Sequence, residues 1–303
     1  MKKSPKRLLL HLLIALCIVL AALWVAFTPA PVHIKPETAQ VKVEPLPSEP
    51  EAPKPAETSA VGDEKAQPQT ASAVPSAPKR VIEGAPEIAI VIDDVGLDMK
   101  GSKRAIDLPA FVTLSFMPYA TRLAEQTRDA RDNGHELMLH MPMEPIGHDD
   151  PGPGALLVGL SPDEIRERFQ KALASFVGFD GVNNHMGSKF TADQTGMEIV
   201  IDELKQRDLF FLDSRTSAKT VGETIARQHG LPTIARDVFL DDIISTNAIN
   251  AQLKEVERVA RRKGYAVAIG HPHAATMDAL EKWLPEAQEQ GFKFVPVKEL
   301  INP

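Results

Sequence analysis

The sequence predicts an α/β fold: a (β/α) barrel of seven or eight parallel strands, preceded by a transmembrane helix and a disordered proline-rich linker. Three observations predict it. From about residue 86, short apolar runs alternate with amphipathic segments, the pattern of a parallel sheet joined by right-handed crossovers. The first run, Ile88–Ile92, is apolar throughout, which suits a strand covered on both faces. Residues 86–303 also have the length of a small, incompletely closed barrel. An open doubly wound sheet is the alternative.

The 303-residue chain begins differently. Lys2, Lys3, Lys6 and Arg7 precede an apolar run, residues 8–27, interrupted by His11. Twenty apolar residues span about 30 Å as a helix, enough for a bilayer core. The basic flank keeps the N-terminus cytoplasmic and sends the remainder across. Residues 1–28 therefore read as an anchor, or as a signal sequence if cleaved, although Thr28-Pro29-Ala30-Pro31 is a poor cleavage site. Cys17 is the single cysteine, so the exported part can hold neither a disulfide nor a thiolate metal site. Residues 29–80 contain eleven of the 25 prolines and no Phe, Trp or Tyr. Such a segment cannot bury a core and reads as a disordered linker. The net charge of −7 comes with no basic stripe, which excludes nucleic acid as a partner class.

Within 86–303, strands are expected at 88–94, 112–117, 136–141, 181–185, 209–213, 239–241, 265–270 and 293–297. Ser161-Pro162-Asp163-Glu164 opens a helix with a capping serine, a first-turn proline and a capping-box glutamate. Helices over 120–133 and 248–263 end at Gly134 and Gly264, as left-handed C-caps. No glycine-rich phosphate loop is present.

Reactive residues gather at the strand ends. The first strand ends in Asp93-Asp94, the third in His140, the fourth in His185, the fifth in Asp213-Ser214-Arg215, the sixth in Asp241-Asp242 and the seventh in His271-Pro272-His273. In a parallel barrel these positions share one rim. Asp241-Asp242 is read as an ordinary turn, and Asp213 and Arg215 as either a mutual pair or site residues. His148 is assigned to a solvated loop, His229 to a helix end and His135 to the opposite rim. Asp94, His140 and His185 form a donor set without sulfur, which suits one divalent metal, zinc first among them. Three protein ligands leave a position for water. The second carboxylate then serves as base and a histidine from another strand as acid, a constellation for amide or ester hydrolysis.

These stretches, with Leu139-His140-Met141-Pro142-Met143-Glu144, Asn184-His185-Met186-Gly187-Ser188 and Gly270-His271-Pro272-His273, resemble the divergent polysaccharide deacetylase family, relatives of the NodB-type deacetylases. The resemblance covers residues 86–303. It implies a distorted (β/α) barrel of seven or eight strands, Asp93 as general base, Asp94 and His140 as metal ligands, and His271 as the acid, with His273 close enough to compete. The deacetylase HxxxH motif carries Glu144 at its second histidine here, and the usual arginine-proline motif is absent. The third ligand is thus His185 or Glu144, with His185 preferred. The resemblance implies an envelope polysaccharide such as peptidoglycan as substrate. The N-terminal apolar run, read from its own composition and flank, would attach the protein to the inner membrane through residues 8–27 with a periplasmic domain, or leave a soluble periplasmic protein if the anchor is cleaved. The alternatives are a metal hydrolase with a non-acetyl substrate and a non-catalytic glycan- or protein-binding module.

Overall fold

The computed structural model describes residues 84–301. The anchor and the linker expected at 1–28 and 29–80 lie outside the described residues. Among the described residues no helix is long and apolar enough to cross a membrane.

The chain alternates β1 (Glu87–Val95), α1 (Met99–Ile106), β2 (Thr113–Phe116), α2 (Leu123–Asp132), β3 (Leu137–Met143), α3 (Pro162–Leu173), β4 (Gly181–Met186) and α4 (Gln194–Lys205). It continues through β5 (Phe210–Asp213), α5 (Gly222–Gln228), β6 (Thr233–Ala235), β7 (Val238–Phe239), α6 (Thr246–Lys263), β8 (Tyr265–Gly270), α7 (Ala274–Glu289), β9 (Lys293–Phe294) and α8 (Val297–Ile301). The strands are parallel and lie in the order β6-β5-β4-β3-β2-β1-β8-β7, with β9 on β1. This is a parallel half-barrel rather than a regular closed cylinder.

The two ends of the sheet are successive pieces of one run. Arg236 donates its N–H to the Asp213 carbonyl (3.0 Å), and Asp237 donates to Val267 (2.8 Å). Residues 233–239 therefore change partner from β5 to β8 between Arg236 and Asp237. The sequence pattern missed β6, which is only three residues long. The expected strand 239–241 is Val238–Phe239, and of 293–297 only Lys293–Phe294 pairs, while Val297 starts a helix.

The helices form where their signals stand. Ser161 Oγ accepts from the Glu164 N–H (3.3 Å) and Glu164 Oε2 accepts from the Ser161 N–H (2.9 Å). Gly264 ends α6 at φ 87, a conformation that costs a residue with Cβ.

Period-two alternation divides the core into two layers. Ile88, Ile90 and Ile92 join the helices in the larger cluster. Ala89, Val91, Met138, Phe210, Leu212, Ile234, Val267 and Ile269 form the inner one, completed by Val297 and Leu300 of α8. Following the inner alternation to the strand ends leads to Asp93, His140, Asn183, His185 and His271 on one rim.

Candidate metal centre

Asp93 continues the inner face of β1 and is 2 % exposed. By alternation Asp94 belongs to the helix side, but its φ of 57 breaks the strand, and the β1–β2 register shifts between Ile92 and Val95. Asp tolerates the left-handed region better than most residues. The turn brings its carboxylate to the rim beside Asp93.

Three donor atoms converge there. Asp94 Oδ1 lies 2.9 Å from His185 Nδ1 and 3.4 Å from His140 Nε2, and the two nitrogens are 3.3 Å apart. At 2.9 Å the first of these is short enough for an ion pair, yet Asp94 Oδ1 is buried without a properly directed hydrogen-bond donor. Lone pairs crowded together and an orphaned buried oxygen are unfavourable unless a cation neutralises them. A tetrahedral site with bonds of ~2.0 Å has ligand–ligand edges of about 3.3 Å, so the spacing fits a small divalent ion.

Asn183 sets the protonation pattern. Its Oδ1 faces His140 Nδ1 at 2.8 Å and accepts from Ser115 Oγ at 2.6 Å. A carbonyl oxygen can only accept, so Nδ1 carries the proton and Nε2 points its lone pair at Asp94. Its Nδ2 donates to both oxygens of Asp93, at 2.8 and 3.0 Å. One buried amide thus orients both the histidine and the second carboxylate. Burial raises the Asp93 pKa, against the pull of His140, His271 and Asn183. Asp94 is driven well below the carboxylate range: burial opposes this, but hydrogen-bond-like approach and charge from His140 and His185 outweigh it.

His271 lines the same cavity, its Nε2 4.0 Å from Asp94 Oδ2. Its Nδ1 donates to Asp241 Oδ1 (2.9 Å), and its backbone N–H and Thr276 Oγ donate to Asp241 Oδ2 (both 2.7 Å). Burial disfavours the imidazolium, yet Asp241 and the charges of Asp93 and Asp94 raise its pKa to about 9 before any cation is bound. Asp241, expected to be a plain turn residue, is the group that orients His271. A second trio, Asp241, His271 and His273, brings ligand-type atoms within 4.8 Å. Both oxygens of Asp241 already have donors, so this trio lacks the unsatisfied oxygen that marks the first.

Other expected residues lie elsewhere. Glu144 accepts from Lys189 Nζ and from the Val158 N–H, each at 2.6 Å, so both its oxygens are engaged and His185 is the group beside Asp94 and His140. Asp213 follows Phe211 on the helix-facing side. Its Oδ2 accepts from Thr220 Oγ (2.8 Å) and from the Glu223 N–H (3.1 Å), which anchors the start of α5. Arg215 does not pair with the Asp213 side chain in a salt bridge; its guanidinium meets Glu223 at 2.6 Å while its backbone N–H meets Asp213 Oδ1. It remains on the cavity wall, as does exposed His273. Asn183, Asp241 and Arg236 are site residues that the sequence pattern left without a role. The rim encloses a cavity of about 840 Å³, within the usual range for ligand sites.

A family model described as divergent polysaccharide deacetylase matches residues 90–301. An uncharacterized protein of Haemophilus influenzae is 34% identical over 203 residues, covering 67% of this chain and 72% of that one. The uncharacterized protein YibQ of Escherichia coli is 35% identical over 196 residues, covering 65% of this chain and 61% of YibQ, which is less than two thirds of its length. The crystal structure of uncharacterized protein ATU2773 from Agrobacterium tumefaciens superposes with a TM-score of 0.70 at 34% identity, covering 75% of this chain and 92% of that one.

Proposed function

The chain belongs to the divergent polysaccharide deacetylase family, and on that premise we propose that it is a metal-dependent hydrolase that deacetylates an N- or O-acetylated envelope polysaccharide such as peptidoglycan. The observation that carries the reading is the convergence of Asp94 Oδ1, His140 Nε2 and His185 Nδ1 around an oxygen with no hydrogen-bond donor. These three residues would hold one divalent cation, and their nitrogen and oxygen donors suit zinc. When bound, such a cation supplies Lewis acidity, polarising an acyl oxygen and acidifying water.

The chain's own groups supply the proton transfers. Asp93 takes a proton from the attacking water as the new C–O bond forms at the acetyl carbon; its raised pKa is the direction a base needs. Asn183 holds both oxygens of that carboxylate in place. His271, protonated on both nitrogens, gives its Nε2 proton to the departing amine or hydroxyl as the acyl bond breaks. Asp241 keeps it charged until then.

In the same reading, residues 8–27 hold the protein in the inner membrane with the N-terminus in the cytoplasm. Residues 29–80 then let the domain reach periplasmic glycan. The basic flank of the apolar run and the proline-rich composition support this arrangement. A cleaved leader would instead leave a soluble periplasmic protein, and the mass of the mature chain separates the two.

The activity is tested with the full-length chain, zinc-loaded, on peptidoglycan and on chitooligosaccharides. Acetate release that chelation abolishes and Asp93→Asn removes is the expected result. A zinc-loaded protein that liberates no acetate from either glycan overturns the deacetylase reading.

A further inference from the structure

We infer that Arg236 is a carboxylate-recognition residue, so that the acetylated sugar this cavity takes carries a carboxylate of its own. The inference rests on the deacetylase reading for the reaction, but on separate observations for the recognition.

Arg236 follows Ile234 on the inner alternation and stands where the run 233–239 changes partner. Arg236 lines the same cavity as Asp93, Asp94, His140, His185 and His271, and also a neighbouring one beside Asp213 and Glu223. The side-on edge is fixed by backbone: Nε donates to the Ser214 carbonyl (2.6 Å) and Nη2 to the Arg215 carbonyl (2.9 Å). The Phe239 ring lies 5.0 Å from the guanidinium carbon. This leaves the other edge, formed by Nη1 and Nη2, uncommitted.

Among the described residues no carboxylate forms a salt bridge with Arg236. The neighbouring acids are engaged elsewhere: Asp237 with Lys263 (2.8 Å), Asp241 with His271 (2.9 Å) and Glu255 with Arg258. Arg215, also on the wall, is paired with Glu223. Burial lowers the Arg236 pKa, only partly compensated by more distant carboxylates, chiefly Asp93. A guanidinium that is half-buried, held flat and unpaired is a costly thing to keep in a cavity. It is well suited to receive two oxygens in a fork.

Carboxylate fits better than phosphate. The open edge accepts one two-oxygen group, and the cavity wall already carries Asp93, Asp94, Asp237, Asp241 and Asp242. A singly charged group meets less repulsion there than a doubly charged one.

The test uses the full-length chain in detergent, zinc-loaded, with two probes: a disaccharide containing N-acetylmuramic acid, and the same disaccharide with that carboxylate methylated. Binding is measured by calorimetry and acetate release in parallel. The wild type is expected to bind the acid at least about 10-fold tighter than the ester. Arg236→Gln should bring that ratio close to one, and Arg236→Lys should restore part of it. Equal binding of acid and ester by the wild type overturns the inference, and this comparison needs no variant to fold. A ratio unchanged in a folded Arg236→Gln overturns it also. The two readings separate cleanly. Acid-over-ester preference without acetate release sinks the deacetylase reading and keeps the carboxylate site. Equal acetate release from both, with equal binding, does the reverse.

Discussion

At φ 57, Asp94 leaves the alternation that β1 imposes and joins Asp93 on the rim. Met186 (φ 51) and Arg215 (φ 47) follow the inward-facing ends of β4 and β5 in the same left-handed region. Each such non-glycine position costs on the order of 1–3 kcal/mol, and three of them end strands on one rim. The strain is concentrated where direction matters most. Because Asn183 orients both His140 and Asp93, Asn183→Ala is expected to weaken zinc binding about 10–100-fold, read by competition with a chelating dye. Glu144→Gln, which breaks only the Lys189 pairing and a loop hydrogen bond, should leave zinc stoichiometry intact by elemental analysis. His271 has a pKa raised to about 9 by its carboxylate neighbours. A group with a raised pKa keeps its proton below that value and loses it as pH climbs past. In the proposed reaction His271 is the acid, which would support activity on the acidic side, so its titration is expected to form the alkaline limb. Asp241→Asn removes the main source of the rise, and the limb of kcat/KM should move to lower pH. An unmoved limb would show that His271 is not the acid.

Among the elements, alternation decides which side chains reach the rim. Asn183 and His185 are two apart on β4, and Phe239 and Asp241 two apart at β7. On β4 this period is legible in the sequence and points to Asn183. It would likewise have turned Asp213 away, since Leu212 faces inward and Asp213 cannot. Asp94 escaped the same rule because a backbone angle, not a pattern, sets its direction. Helix α1 positions the His271 turn through a close approach: a Cβ on Gly101 would lie 2.3 Å from the Pro272 carbonyl oxygen. Backbone cannot yield as a flexible side chain does. Gly101→Ala is therefore expected to destabilise the fold by about 1–3 kcal/mol and to lower activity by displacing His271. A shift in the urea midpoint together with the specific activity checks this.

For the molecule as a whole, α8 closes the rim opposite the site. Val297 donates its N–H to Thr113 Oγ (3.2 Å), and Glu136 accepts from Thr113 Oγ (2.9 Å) and from the Lys298 N–H (3.1 Å). Burial raises the Glu136 pKa from 4.5 to about 7, more than these donors lower it. The unfolded chain ionises first, so this group's contribution is complete below 4.5 and is lost as pH rises through 7. The loss is at most about 1.4 kcal/mol per pH unit across that window. Urea midpoints between pH 4.5 and 8 should reveal the fall, and Glu136→Gln should flatten it.

The sequence by itself determined the parallel α/β alternation, the capped helices and the family, and it drew the reactive side chains to one rim. Those follow from local periodicity and from residue chemistry at strand ends, which any short window carries. Only the tertiary structure decided that His185 rather than Glu144 stands beside Asp94 and His140, that Asp241 serves His271, and that Arg236 enters the cavity. Each of these depends on residues far apart in the chain. The seam at Arg236–Asp237 adds a reason of its own: its strands are too short to carry a periodic signal, so their place is set by the two sheet edges they join.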